Sequence, residues 1–298
     1  MLPVAVLADQ VTRIHAQRRA CQFAEVATDL PPLIRNLHTT RATGTDHAEL
    51  LDLAVYLHVH VTRLWLYRVA APNDLIRRTV FLARRLAQER DDVTTLAMAG
   101  FSVADTLLCG GATELGRAEL DSITLPPVTA DTAGLVCLVT STHAQAAVLD
   151  GRPGDAAEPI NAATELGERF EFEATGETDS LGFFHALADV KTHRVWLALE
   201  AGEPDQAVNI AQDIHTERHP SPSGRAHHWI FYGRALARLR GRHDDAVRAL
   251  RTAEDLFPTK VRRDPMVRDA IATLLPGARR NAIGMELRGL AHRANLPM

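Results

Sequence analysis

Apolar residues recur at three- and four-residue steps from residue 4 nearly to the end of the chain, and no alternating apolar–polar run competes with them. That period lays one apolar stripe along a helix, so the pattern predicts a chain that is helical throughout. Breakers interrupt it where hairpins are expected to turn: Pro31-Pro32, Pro72 to Asp74, Asp91-Asp92, Gly110-Gly111, Pro126-Pro127, Gly151 to Gly154, Gly202 to Pro204, Pro220 to Gly224 and Gly241. Asn73, Asp155, Asp205 and Asp244 fall in or near the first turn of the following helix, where side-chain oxygens satisfy free N–H groups and complement the dipole.

Three of the turns share one form: Gly151, Gly202 and Gly241 each precede, by five residues, a small residue of the next helix (Ala156, Ala207, Ala246). Looser versions pair Gly111 with Gly116, Ala71 with Ile76 and Cys21 with Val26. The turns near 21, 71, 111, 151, 202 and 241 lie 50, 40, 40, 51 and 39 residues apart. The two long intervals contain the polar stretches Thr39–His47 and Phe172–Ser180, so the repeating unit is about 40 residues long, the mark of a helical repeat array.

These features resemble tetratricopeptide repeats (TPRs), whose paired antiparallel helices have a turn glycine, small residues five and twelve positions on, and a closing proline. Gly241, Ala246, Ala253 and Pro258 occupy all four positions; Gly151, Ala156 and Ala163 occupy three; and the unit at Gly202 has Ile214 at the second small position and ends at Pro220. The resemblance implies an all-α fold of antiparallel hairpins stacked into a right-handed superhelix, with residues 1–298 as one array and 264–298 as capping helices. The segments Thr192–Glu203, Ala253–Pro265 and Leu287–His292 are similar to the C-terminal sensor arrays of actinobacterial Xre-class helix-turn-helix regulators. In that family a DNA-binding head precedes the array; here repeat-like helix begins at once, so no direct nucleic-acid binding is expected of this chain. His185, Asp189 and Phe231 stand where that family tends to have Phe, Asn and Asp.

In the TPR family the first helix of each hairpin lines the concave groove. Positions thirteen, ten and six residues before each turn share one helical face. They give Val11 and His15; His58, Val61 and Trp65; Met98, Phe101 and Asp105; Leu138, Ser141 and Gln145; Asp189, Thr192 and Trp196; and His228, Phe231 and Ala235. Aromatics with scattered hydrogen-bonding groups suit a peptide or small-molecule groove. The candidate ligand-binding residues are therefore His58, Trp65, Phe101, Asp105, Ser141, Gln145, His185, Asp189, Thr192, Trp196, His228 and Phe231. A bland reading of the same residues makes the aromatics part of the interior packing.

Composition narrows the classes. Hydrophobic residues make up 46% but aromatics only 5%, so Ala, Leu and Val must supply the packing, which suits closely approaching helices. A net charge of -4 gives no electrostatic case for nucleic acid. Three widely spaced cysteines and the lack of a membrane-length apolar run lead to the expectation of a cytoplasmic protein. His185, Asp189 and His193 invite a metal reading, but helical rise separates the two histidines by about 12 Å, too far to share one ion. No phosphate loop, dinucleotide fingerprint or nucleophile elbow is present, so no catalytic residue, metal or cofactor is expected. The expected function is a non-enzymatic ligand-sensing or protein-interaction module of a bacterial regulatory system, with a peptide, small molecule or protein as partner and a homodimer as a possible assembly. The alternatives are a constitutive protein–protein scaffold and a biosynthetic or metal-dependent enzyme on a helical-repeat scaffold.

Overall fold

A computed structural model describes residues 2–43, 47–170, 181–183, 186–219 and 221–297; the loop at Phe172–Ser180, together with His185 and Pro220, lies outside the described residues. Among those residues the chain is all-α, with no strand. Helix α1 (Val4–Arg19) pairs with α2 (Phe23–Thr43). Next, α3 (His47–Tyr56) continues through a π-helical turn (Leu57–Thr62) into α4 (Arg63–Arg68), and this composite helix pairs with α5 (Asn73–Arg90). Four further pairs follow: α6 (Val93–Cys109) with α7 (Thr113–Asp121), α8 (Ala133–Leu149) with α9 (Ala157–Arg169), α10 (Ala186–Glu200) with α11 (Pro204–Gln212), and α12 (Pro222–Ala237) with α13 (His243–Leu256). Helix α8 packs on α6 and α10, and α10 packs on α12, so these first helices stack in chain order. Helices α14 (Pro258–Arg263), α15 (Pro265–Leu274) and α16 (Ala282–Arg293) close the C-terminal end against α12 and α13.

The reversals inside the hairpins have a common geometry. Cys21, Ala70, Gly111, Gly151, Gly202 and Gly241 all have left-handed backbone, with φ between 53° and 84°. At Gly111 the N–H donates to Leu108 O (3.0 Å) and the next N–H, of Ala112, donates to Leu107 O (2.9 Å). The same double bond recurs at Cys21, Ala70, Gly151 and Gly202, and it satisfies carbonyls that the helix end leaves free. Pro31-Pro32, by contrast, do not break the chain: both lie inside α2. Both are exposed, so the carbonyls they leave without partners meet water, while Leu30, Leu33 and Leu37 on the opposite side are buried and hold the helix down.

Small residues set the distance between paired helices. A Cβ added at Gly116 would come 2.7 Å from Leu108 Cγ, and one at Gly233 would come 2.9 Å from the Leu250 side chain. Ala156, Ala207 and Ala246, five residues after their turns, are all buried, as are Ala163 and Ala253. The apolar interior falls into a large N-terminal cluster from α1 to α8, a large C-terminal cluster from α10 to α16, and a smaller one joining α8, α9 and α10. Buried Glu254 on α13 ties the C-terminal helices together through Arg251 (2.9 Å), Arg262 (2.8 Å) and Arg293 (2.7 Å). Burial alone would raise its carboxyl pKa, but hydrogen bonds from Arg293 and Arg262 bring it down to about 2.

The stack curves until its last elements meet its first. The Phe23 and Phe257 rings lie 5.2 Å apart between centroids, and the Arg68 guanidinium sits 4.9 Å over Phe257. Arg263 Nη1 donates to Val69 O (2.9 Å), and Ser221 Oγ donates to Arg19 O (3.5 Å). No described helix is long and apolar enough to cross a membrane.

The turn geometry makes a direct prediction. A Cβ at Gly202 meets nothing within 4 Å, so Gly202→Ala carries only the backbone cost of the left-handed conformation, about 1 kcal/mol of stability. Ala70, with φ 53°, already bears that cost, and Ala70→Gly is expected to leave stability unchanged or raise it. Paired urea unfolding curves check both; an equal loss in the two variants would show that the turns do not carry this strain.

Candidate functional site

The first helices bring their inner faces together from both halves of the chain. The column expected from sequence disperses there into three surroundings. The first is the apolar packing: Trp65 is half-buried against the N-terminal cluster and its Nε1 donates to Phe23 O (3.3 Å), while Phe101 is buried edge-on to Phe183. Trp196 packs on the α8–α10 cluster beside His193, and Thr192 is buried near it in sequence. Buried Ser141 Oγ donates back to Leu138 O (2.9 Å), and Gln145, a helical turn further on, is half-buried. Buried His228 and half-buried Phe231 belong to the α12 packing, with His228 against the Trp229 and Tyr232 rings.

His58 leaves the column. Its Nε2 lies 3.0 Å from Nε2 of His38 on α2, so one ring donates and the other accepts. The π-helical turn is the cause: an extra residue rotates the preceding part of the helix by roughly 100° relative to a regular α-helix. Tyr56 and His60 take the inner face instead. His15 Nδ1 is 2.6 Å from the Tyr56 hydroxyl, and the His60 ring lies 5.7 Å from His15 and 4.4 Å from Phe183.

The second surrounding is a polar hub that draws on α1, α4, α6, α10 and α12, buried at Arg18, Arg63 and His219 and half-exposed at Asp189. Arg63 Nη1 donates to Asp105, with its guanidinium 5.7 Å over Phe101. Asp105 also accepts from the Cys109 thiol (3.7 Å). Arg68 Nη1 donates to His227 Nε2 (2.9 Å), which is therefore the acceptor nitrogen of a neutral ring. His219 is read the same way: Ser221 N–H donates to its Nδ1 (3.1 Å), so Nε2 carries the hydrogen and donates to Asp189 Oδ1 (3.1 Å). Burial, followed by the charges of Arg68 and Arg19, brings the Arg18 pKa down to about 9; burial brings Arg68 down to about 10, opposed by Cys21, Asp189 and Asp264.

The third is an open cleft of about 730 Å³. Its wall comes from α1 (Val11, His15, Arg19), α3 (Glu49, Asp52, Tyr56) and the first turns of α6 (Thr94, Met98), with Asp131 and Leu181 at the edges. Asp52 is held by Arg90 (2.9 Å), and Asp92 caps α6 through the Thr95 N–H (2.9 Å). Glu49, Asp52, Asp92 and Asp131 thus line the cleft together with Arg19 and Arg90, beside apolar Val11, Leu53 and Met98. Its volume is that of a small-molecule or short-peptide site. Among the described residues no group of three or more His, Cys, Asp or Glu side chains is arranged to hold a metal ion.

The sequence column named Asp105 and Asp189, which are in the hub, and it missed Arg18, Arg63, Arg68, His219 and His227. One signal was present: Arg18 and Arg68 both stand three residues before their turn positions, 21 and 71. No protein-family model, curated protein or solved structure matches this chain.

Neutral burial of histidine sets a pH dependence. Burial, with a smaller push from His38, lowers the His58 pKa to about 3. Burial likewise lowers His193 to about 4 against the Asp189 and Asp105 charges, and lowers His228 to about 4 with His219 adding to it. His227 falls well below the ordinary value, through burial and then Arg68 and Lys260. All four folded values lie under the unfolded 6.5, so the unfolded chain binds more protons once the pH falls below about 6.5. Their contribution to stability is thus complete above that pH and is lost on acidification, by up to about 1.4 kcal/mol per pH unit for each histidine. Urea midpoints at pH 7.5, 6.5 and 5.5 are expected to drop steeply over the last step; a flat profile would refute neutral burial.

Proposed function

We propose that this chain is a ligand-sensing array of TPR-like hairpins in a right-handed superhelix, serving a bacterial regulatory system and acting without catalysis. A short peptide or small signalling molecule occupies the concave groove. The observation that carries this reading is the 730 Å³ cleft, because its walls belong to the first helices of successive hairpins. Helical arrays offer their inner face for binding in this way. The nearest-neighbour packing of the hairpins and the recurring left-handed turns support the TPR-like arrangement.

The groove also has a route by which occupancy can be reported. Cleft-lining Arg19 accepts, through its carbonyl, the hydroxyl of Ser221 from the other end of the array. Phe23, Arg68 and Phe257 extend the same contact between first and last elements. A ligand that shifts α1 against α3 changes the fit of these end-to-end contacts and hence the curvature, provided it binds the two curvatures with different affinity.

Native mass spectrometry of protein equilibrated with an extract of its source cells tests the reading. The wild type is expected to hold an additional small mass, and Thr12→Trp and Thr94→Trp, which fill the cleft from its surface, are expected to lose it while keeping the helical CD spectrum. A wild type that carries no such mass, or variants that keep it, would rule the groove out.

A further inference from the structure

The 730 Å³ cleft carries an uneven charge. Four carboxylates line it, those of Glu49, Asp52, Asp92 and Asp131, against the two guanidinium groups of Arg19 and Arg90. Arg90 Nε donates to Asp52 Oδ1 (2.9 Å), which balances one of the four. Asp92 spends an oxygen on the Thr95 N–H and hydroxyl (2.9 Å each), and neither of those carries a charge. Glu49 and Asp131 are exposed, and among the described residues neither forms an ion pair. With Arg19 counted in full against them, two negative charges remain in excess.

The other groups of the wall leave most of that excess in place. His15 is 3% exposed and its Nδ1 lies 2.6 Å from the Tyr56 hydroxyl, so burial disfavours a charge on its ring. Glu49 lies in the first turn of α3, Asp92 caps α6 and Asp131 stands just before α8, where each helix dipole contributes about half a positive charge. Arg19 and Arg90 close α1 and α5, whose C-terminal ends contribute about half a negative charge each. These opposing ends leave the cleft with about one and a half negative charges. A cleft walled by low-dielectric protein concentrates such a field.

Beside the acids the wall is apolar at Val11, Leu53, Met98 and Leu181. We propose that the ligand of this cleft is an organic cation, an apolar body that bears a protonated amine or a guanidinium group; its place in the cleft rests on the groove reading above. Glu49 and Asp131 supply the counter-charge, and the apolar residues receive the body. A neutral ligand leaves the excess charge uncompensated, and an anion adds to it.

Three probes with one body and different charges test the proposal: n-hexylamine, hexanol and hexanoate, titrated by ligand-observed NMR at pH 7.5 and low ionic strength. Hexylamine is expected to bind roughly tenfold more tightly than hexanol, and hexanoate the most weakly. Glu49→Gln and Asp131→Asn, both at exposed positions and nearly unchanged in size, are each expected to weaken hexylamine by roughly threefold and to leave hexanol unaffected. Added sodium chloride narrows the gap between amine and alcohol. Acetyl-Leu-Lys-Leu-amide, whose only charge is a side-chain ammonium, distinguishes the sources: tighter binding than hexylamine assigns the cleft to a basic peptide, and weaker binding to a free amine. Hexylamine no tighter than hexanol, or an advantage that survives both substitutions together, would overturn the proposal. Thr12→Trp separates it from the groove reading. Equal affinity for all three probes, lost in Thr12→Trp, leaves the groove standing and removes the cation. A preference for hexylamine that Thr12→Trp abolishes, in a wild type that retains no cellular ligand, leaves the charge preference standing and removes the sensing function.

Discussion

How closely two helices of a hairpin can approach governs everything else in this chain. Gly116 under Leu108 and Gly233 against Leu250 leave no room for a Cβ, and the buried alanines at 156, 207 and 246 repeat that close approach down the array. Dispersion contacts fall off quickly with distance, so pairs held this tightly act as rigid units. Rigid pairs then stack through their first helices, α6 on α8, α8 on α10 and α10 on α12, and small rotations between them accumulate along the stack. The curvature that results is large enough to bring Phe257 against Phe23.

Closure has an electrostatic consequence. The inner face of each first helix carries a few polar groups that water would hydrate in an open array. Curving the stack removes that water and sets Arg18, Arg63, Arg68, Asp105, Asp189, His219 and His227 against one another. The molecule meets the desolvation cost in two ways. Acids pair where they are available, as Asp105 does with Arg63, and histidines stay neutral so that each ring can accept a hydrogen bond without adding charge. Arg18 is left outside both arrangements, with its Nε buried and without a hydrogen-bond partner. At the far end, Glu254 solves the opposite problem. One buried carboxylate is surrounded by three arginines, and α14 is thereby held where Arg263 and Phe257 can reach the N-terminal hairpins.

Helical character was legible because burying one face imposes a three-to-four-residue period on any helix, whatever its neighbours. The reversals were legible because left-handed backbone favours glycine, and four of the six turn positions carry it. Ala70 has the left-handed backbone one residue before the Ala71 read from spacing; no side-chain chemistry marks which of two alanines bears it. Pro31-Pro32 misled, since a proline stops a helix only when its partnerless carbonyl has nowhere to go, and exposure of that face is not written in the local sequence.

The polar site was legible only in fragments. Spacing alone counts residues as if every helix were regular, and the π-helical turn at Leu57–Thr62 spoils the count for His58 while presenting Tyr56 and His60 in its place. Asp105 and Asp189 could be placed on inner faces, but not against Arg63 and His219, because those partners are contributed by elements 42 and 30 residues away in the chain. The sequence by itself determined which segments are helical and most of where they reverse, since both follow from interactions within a few residues. Only the tertiary structure decided that Arg68 of the second hairpin would meet His227 of the sixth and that Arg18 would be buried without a counter-charge. Those outcomes depend on curvature summed over the whole stack, and no local stretch of sequence carries that sum.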